Sequence, residues 1–246
     1  MTAELSASTQ AVPNKVAACF RALGLSRCAL IGKNVYQAYS SNFGWVAIKF
    51  AFTSQAKIQL QNETRFLSQH VCKHWPAYID SGCHQHVNWL MTSLVDGISL
   101  ATASVERRQL LPLLSQLESI LHRIHNTGFI HGDIKPANIM LSESSRELSV
   151  IDFGSTLAIG QHYQSLSSSV SPRYSGANAT FRDGQVSARD DYVALAITLQ
   201  TVFHHHPFDG QPISQFCRTQ TSAQIKQLPS RYQLLLQQQL NLAKQL

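Results

Sequence analysis

The sequence predicts an α+β protein in two lobes, a small β-rich lobe with one main helix and a larger, mainly helical one. Two observations predict it. Residues 29–52 and 77–92 carry short apolar and β-branched runs separated by turn residues. From Val105 onward the apolar residues return at helical spacing instead. The change of period falls near residues 96–102, and a chain of 246 residues is long enough for two small lobes with buried cores. The expected division is an arm and short helix over 1–28, a first lobe over 29–96 and a second over 97–246.

Along the chain, residues 1–14 are expected to be a loose polar arm and 15–23 a short amphipathic helix. Strands are expected at Leu30-Ile31, 35–39 and 45–50, with Ser41, Asn42 and Gly44 turning between the last two. Residues 54–71 read as a helix with Ile58, Phe66 and Leu67 on its apolar side. Two more strands, 77–80 and 87–92, are expected to join at Ser81-Gly82. Leu110, Leu113, Leu114, Leu117, Ile120, Leu121 and Ile124 mark a helix that stops at Gly128. Residues 139–141 and 148–151 read as a hairpin, 163–171 as a serine-rich loop, 191–203 as a buried helix and 224–246 as a helical tail.

Composition excludes several classes. The net charge of +6 suits anions such as nucleotide phosphates, but no dense basic stripe marks a nucleic-acid reader. No apolar run reaches the length of a membrane span. The cysteines, Cys19, Cys28, Cys72, Cys83 and Cys217, are odd in number and scattered, and the opening stretch is polar. Together these predict reduced thiols and a cytoplasmic setting. His70, Cys72 and His74, then Cys83, His84 and His86, hold zinc-type donors, but at gaps of one residue rather than the two to four usual for zinc. The run His204-His205-His206 is expected to sit at a helix exit, where imidazolium favours the helix dipole.

The chemistry concentrates between His131 and Gly154. Asp133, Lys135, Asn138 and Asp152 sit at short spacings around the predicted hairpin, which can converge them on one point. Carboxylates plus an amide oxygen suit Mg²⁺, and a lysine beside them suits a phosphate. Phosphoryl transfer asks for this set: metal, cation, and a carboxylate near the attacking hydroxyl.

With these residues the chain resembles the protein kinase family. His131-Gly132-Asp133-Ile134-Lys135-Pro136-Ala137-Asn138 resembles the catalytic loop and Asp152-Phe153-Gly154 the metal-binding motif. Val46-Ala47-Ile48-Lys49 resembles the strand that bears the ATP-binding lysine, with Glu63 at the place of its ion-pair partner. Leu94-Val95-Asp96-Gly97 resembles the hinge, with Thr92 at the gatekeeper place. Ser171-Pro172-Arg173-Tyr174 resembles the substrate-binding end of the activation segment, and His206-Pro207-Phe208 a later signature. In the stretch 190–196, Asp191 is the better match to the aspartate that braces the catalytic loop.

The resemblance implies a bilobal kinase-like fold, with ATP and Mg²⁺ as cofactors and a protein substrate of unknown identity. It implies that Asp133 orients the substrate hydroxyl and Lys135 steadies the moving phosphoryl group. Asn138 and Asp152 would hold Mg²⁺. Lys49 would grip the ATP phosphates, steadied by Glu63, while Val35, Ala47, Leu94 and Met140 would surround the adenine. The chain departs from the pattern in three places. The stretch 29–35 offers one glycine, Gly32, where the family has three, so Lys33 is expected to help clamp ATP. Gly132 replaces the arginine that reads an activation-loop phosphate, although Ser165, Ser167, Ser168 and Ser169 remain as candidate sites. Ser175-Gly176-Ala177-Asn178 lacks the usual proline and glutamate, and the matching C-terminal arginine is not evident. A serine/threonine protein kinase is the leading reading, since Lys135-Pro136 follows the aspartate. A small-molecule kinase and a nucleotide-binding pseudokinase are the alternatives.

Overall fold

The computed structural model describes residues 13–166, 171–219, 223–225 and 228–246. Most of the expected polar arm, and Ser167, Ser168 and Ser169, lie outside the described residues. The chain divides into two compact units, one of Met1–Leu60 with Ile79–Leu94 and one of Gln61–Tyr78 with Val95–Leu246.

The first unit is a helix on a sheet. Helix α1 (Asn14–Ala22) precedes strands β1 (Ser26–Gly32), β2 (Val35–Ser40) and β3 (Gly44–Ala51). After helix α2 (Ser54–Gln69) come β4 (Tyr78–His84) and β5 (Val87–Ser93), and the sheet order is β1-β2-β3-β5-β4. The period-two pattern gives the sheet two different faces. Tyr36, Ala38, Val46, Ile48, Phe50, Trp89 and Met91 form one core with Val16, Cys19 and Phe20 of α1. Edge-to-face contacts among Phe20, Tyr36 and Phe50 fill its centre. Registers Val35↔Lys49, Gln37↔Ala47 and Ala47↔Thr92 place Val35, Ala47, Lys49 and Thr92 together on the opposite face.

Two expectations for these elements are corrected, although α2 from Gln61 onward belongs to the second unit. The β4–β5 turn lies at Gln85-His86, both at positive φ, and not at Ser81-Gly82. Gly82 is a strand residue that lets the Trp89 ring lie against the backbone, since a Cβ there would meet the ring at 2.9 Å. In α2, Ile58 is 41% exposed, while Leu60, Glu63, Phe66 and Leu67 are buried. The helix also stops at Gln69, short of the exposed Val71.

The second unit is mainly helical. It adds β6 (Ile98–Ser99), α3 (Leu110–His125), β7 (Phe129–Ile130), β8 (Ile139–Leu141), β9 (Leu148–Val150) and β10 (Leu157–Ala158). Then follow α4 (Ala177–Phe181), α5 (Ala188–Phe203), α6 (Ile213–Thr219) and α7 (Ser230–Ala243). The seven apolar residues that mark α3 in the sequence are all buried. Strand β8 pairs antiparallel with both β9 and β6, which extends the expected hairpin to three strands. The crossing at Gly97 needs glycine, because its φ is +115° and a Cβ would lie 2.3 Å from the Leu141 carbonyl oxygen. Helix α5 is buried along most of its length and packs against α3 and α7.

Candidate active site

The site in the helical unit begins where α3 ends. Gly128 leaves the helix at φ +84° and β7 carries the chain inward to His131. Asp191 on α5, 1% exposed, accepts the His131 N–H at 2.8 Å and the Gly132 N–H at 3.0 Å. His125 Nε2 also bonds its carboxylate at 2.8 Å. One buried carboxylate thus satisfies consecutive backbone donors and fixes the loop. The His131 ring continues the network. Its Nδ1 accepts the Asp133 N–H at 3.2 Å, so its Nε2–H donates to the Ile151 carbonyl at 3.1 Å.

Asp133 is the centre of the loop and is 8% exposed. Its Oδ2 accepts from Lys135 Nζ at 2.7 Å and from Asn138 Nδ2 at 3.0 Å. Its carbonyl also accepts from Asn138 Nδ2, at 2.9 Å. Its Oδ1 is buried with no hydrogen-bond partner among the described residues. Lys135 Nζ reaches on to Ser171 Oγ at 3.1 Å, tying the loop 131–138 to the segment 171–174. A groove of about 400 Å³ opens there, lined by Lys135, Ser171, Pro172, Arg173, Tyr174 and Pro212.

The β8–β9 hairpin positions the oxygen donors. Ile139 pairs with Val150, and the Ile151 N–H donates to the Asn138 carbonyl at 3.0 Å. Asn138 and Asp152 therefore flank the same end of the hairpin. The amide nitrogen of Asn138 is turned to Asp133, which leaves its oxygen for a cation. Asp152 sits in the left-handed region, φ 70°, a costly conformation for a side-chain-bearing residue. The Phe153 ring behind it is fully buried, stacked on Phe66 at 4.5 Å and edge-on to His131 at 4.8 Å. Glu63 Oε1 accepts the Phe153 N–H at 3.4 Å. Met140 is half-buried between the fully buried Ile139 and Leu141, so it presents the other face of β8.

In the sheet unit, Val35, Ala47 and Lys49 share one face, as the strand pattern expects. The Leu94 N–H donates to the Trp45 carbonyl at 3.4 Å. Lys33 and Asn34 form the tip of a two-residue turn, closed by the pair Gly32↔Val35, with Asn34 at φ 59°. The spacious glycine loop of the resemblance is here reduced to a tight β-turn.

A model of the protein kinase domain matches residues 32–245. The chain belongs to the protein kinase family. Among similar curated proteins, serine/threonine-protein kinase D of Synechocystis sp. is 33% identical over 117 residues, which are 45% of this chain and 23% of that protein. PrkC of Bacillus subtilis is 27% identical over 145 residues, 54% of this chain and 21% of that kinase. The chloroplastic serine/threonine-protein kinase STN7 of Arabidopsis thaliana is 34% identical over 96 residues, 38% of this chain and 17% of that one. The chain thus spans about a quarter or less of the length of these relatives.

Several functional contacts escaped the sequence. His125 gives no motif signal beyond its place in the last turn of α3. His206, expected as a cation at a helix exit, is buried instead. Its Nδ1 accepts the Phe208 N–H at 3.1 Å and its Nε2–H donates to the Arg173 carbonyl at 2.8 Å. Burial holds its pKa below 6.5, so its neutral ring is a clamp on the Arg173 carbonyl. The zinc-type clusters do not converge: among the described residues no three His, Cys, Asp or Glu side chains could hold a metal together. No helix among the described residues is long and apolar enough to cross a membrane.

Proposed function

We propose that this chain transfers the γ-phosphoryl group of ATP, with Mg²⁺, to serine or threonine hydroxyls of a protein. One observation carries the proposal. Asp133 is buried and fastened through Oδ2, yet its Oδ1 has no hydrogen-bond partner among the described residues. A buried acceptor without a donor is costly unless a ligand supplies one. The hydroxyl of a substrate is such a donor.

In this reading the acceptor oxygen attacks the γ-phosphorus, the bond to the bridging oxygen breaks, and ADP leaves. The hydroxyl proton passes to Asp133 Oδ1. Lys135, held between Asp133 and Ser171, offers its ammonium to the phosphoryl oxygens. The all-oxygen pair Asn138 and Asp152 fits a hard cation, and Mg²⁺ would neutralise charge on the phosphates. Lys49 is assigned to the nucleotide phosphates, and Val35, Ala47, Leu94 and Met140 to the adenine. The groove beside Lys135 and Ser171 favours a peptide over a small acceptor, because it lies open next to the catalytic carboxylate.

The test is incubation of pure protein with labelled ATP, Mg²⁺ and a generic basic protein, beside Asp133→Ala. Label on protein that falls by about 10²-fold or more in the variant is expected, the scale of lost acid–base catalysis. Transfer only to small acceptors would favour a small-molecule kinase. Nucleotide binding with no transfer to any acceptor would leave a binding module.

A further inference from the structure

We propose that the described stretches of the activation segment, residues 163–166 and 171–176, are held in their working conformation by two buried neutral side chains, Tyr163 in the first and Gln239 of α7 against the end of the second, without a phosphate group. The inference rests on the phosphotransferase reading above and goes beyond it to how the site is kept ready.

Tyr163 is 2% exposed and packs in a cluster with Ile130, Leu157, Ala179 and Val186. Its hydroxyl donates to Asp190, and its carbonyl accepts Arg182 Nη2 at 2.8 Å. Asp190 also accepts the Ser187 N–H at 2.7 Å, closing the capping box of α5. The anchor is therefore set in the first turn of α5, whose next residue, Asp191, braces His131 and Gly132. The flanking backbone is paired as well. The Gly160 N–H donates to the Val186 carbonyl at 2.9 Å and the Val186 N–H to the Gln161 carbonyl at 2.8 Å. Burial raises the pKa of the Tyr163 phenol, so it stays a neutral donor.

At the far end Gln239 is 6% exposed, and its Oε1 accepts the Ala177 N–H at 2.8 Å. That N–H opens α4, immediately after the segment. Gly176 makes the approach possible, since a Cβ there would lie 2.6 Å from Gln239 Oε1. Between the two anchors, Ser175 Oγ donates to the Ser171 carbonyl at 2.8 Å and His206 holds the Arg173 carbonyl. A neutral amide thus takes the place where the resemblance leads one to look for a glutamate–arginine pair.

The centre where a phosphate would be read is closed. Gly132 stands at the arginine position, its φ is +76°, and a Cβ on it would lie 2.2 Å from the Ser155 carbonyl oxygen. No side chain fits there to read a phosphate, and Tyr163 and Gln239, with Ser175 and His206 between them, supply the fastening instead. Both are positioning residues, since neither touches the reacting atoms.

The test compares wild type, Tyr163→Phe, Gln239→Leu and Gln239→Glu after treatment with a protein phosphatase. Two readouts are taken: peptide phosphorylation resolved into kcat and KM, and hydrogen exchange of peptides covering 159–166 and 171–179. Phosphatase is expected to leave wild-type kcat/KM unchanged. Gln239→Leu is expected to raise KM for the protein acceptor about fivefold, the scale of one lost hydrogen bond, with kcat and KM for ATP unchanged. Gln239→Glu keeps the acceptor oxygen and is expected to restore KM. Tyr163→Phe keeps the ring and is expected to speed exchange at 159–166. Loss of wild-type activity on dephosphorylation, or wild-type exchange in both Tyr163→Phe and Gln239→Leu, would overturn the proposal. If wild type labels no acceptor, the phosphotransferase reading fails, and exchange alone decides whether the anchors exist.

Discussion

In the loop 131–138 most polar groups have a partner, whereas among the described residues the turn from Gly32 to Val35 is held by backbone pairing alone. Asp191 takes two backbone donors of the loop, Asn138 takes two oxygens of Asp133, and Gly132 lies where no Cβ fits. The turn has Gly32 against Val35 and the Phe50 N–H on the Asn34 carbonyl, with Lys33 exposed at its tip. A Cβ on Gly32 would meet only Val35, at an ordinary 3.7 Å. The difference teaches where constraint resides. Groups that must hold a reacting hydroxyl to within fractions of an ångström need a rigid surround. In the proposed reaction the turn would only cover phosphates, a task that two residues can serve.

The comparison can be broken by substitution. The largest effect is expected at Asp191→Ala, which strands the His131 and Gly132 donors and the buried His125 ring. A loss of about 3–5 kcal/mol is expected, read as a fall in Tm of roughly 10 °C. A Tm within experimental error of wild type would show that the loop does not depend on its brace. Next comes Gly132→Ala, which adds left-handed strain of about 1–2 kcal/mol and overpacking of about 1–3 kcal/mol against Ser155. Chemical denaturation measures it, and a neutral result would mean that the Ser155 carbonyl yields without cost.

A smaller effect is expected from pH. Burial depresses the pKa of His206 in the folded chain, while the unfolded chain keeps the ordinary 6.5. Below that value the unfolded state binds a proton that the folded state refuses. Stability is therefore expected to fall as pH drops from 6.5 through the depressed value, and to be level above 6.5. His206→Gln is expected to remove this part of the acid slope, which urea titrations at several pH values would resolve. The smallest effects belong to the turn. Gly32→Ala is expected to change stability by no more than about 0.5 kcal/mol. Lys33→Ala is expected to leave stability equally unchanged but weaken ATP binding by calorimetry, and an unchanged affinity would remove Lys33 from the nucleotide site.

Legibility in the sequence followed the range of the interaction. The strands β2 and β3 and the helix α3 could be read because one period fixes which side chains are buried, and neighbours in sequence carry that signal. The catalytic loop could be read because Asp133, Lys135 and Asn138 lie within six residues and bond to one another. Ser81-Gly82 misled because glycine also marks close packing, here under Trp89 rather than in a turn. His206 misled because a histidine run looks solvated until its partners are known.

The residue order by itself determined the α+β class, the family and the short-range set of candidate reacting groups, since each depends on periodicity or on residues near one another in the chain. The tertiary structure alone decided which atoms Asp191 braces and why position 132 must be glycine. It also decided that His125 joins Asp191, that Tyr163 meets Asp190, and that Gln239 stands where an ion pair was sought. Each of these joins groups 23 to 66 residues apart or depends on the space left between them. No local pattern encodes such distances; packing sets them.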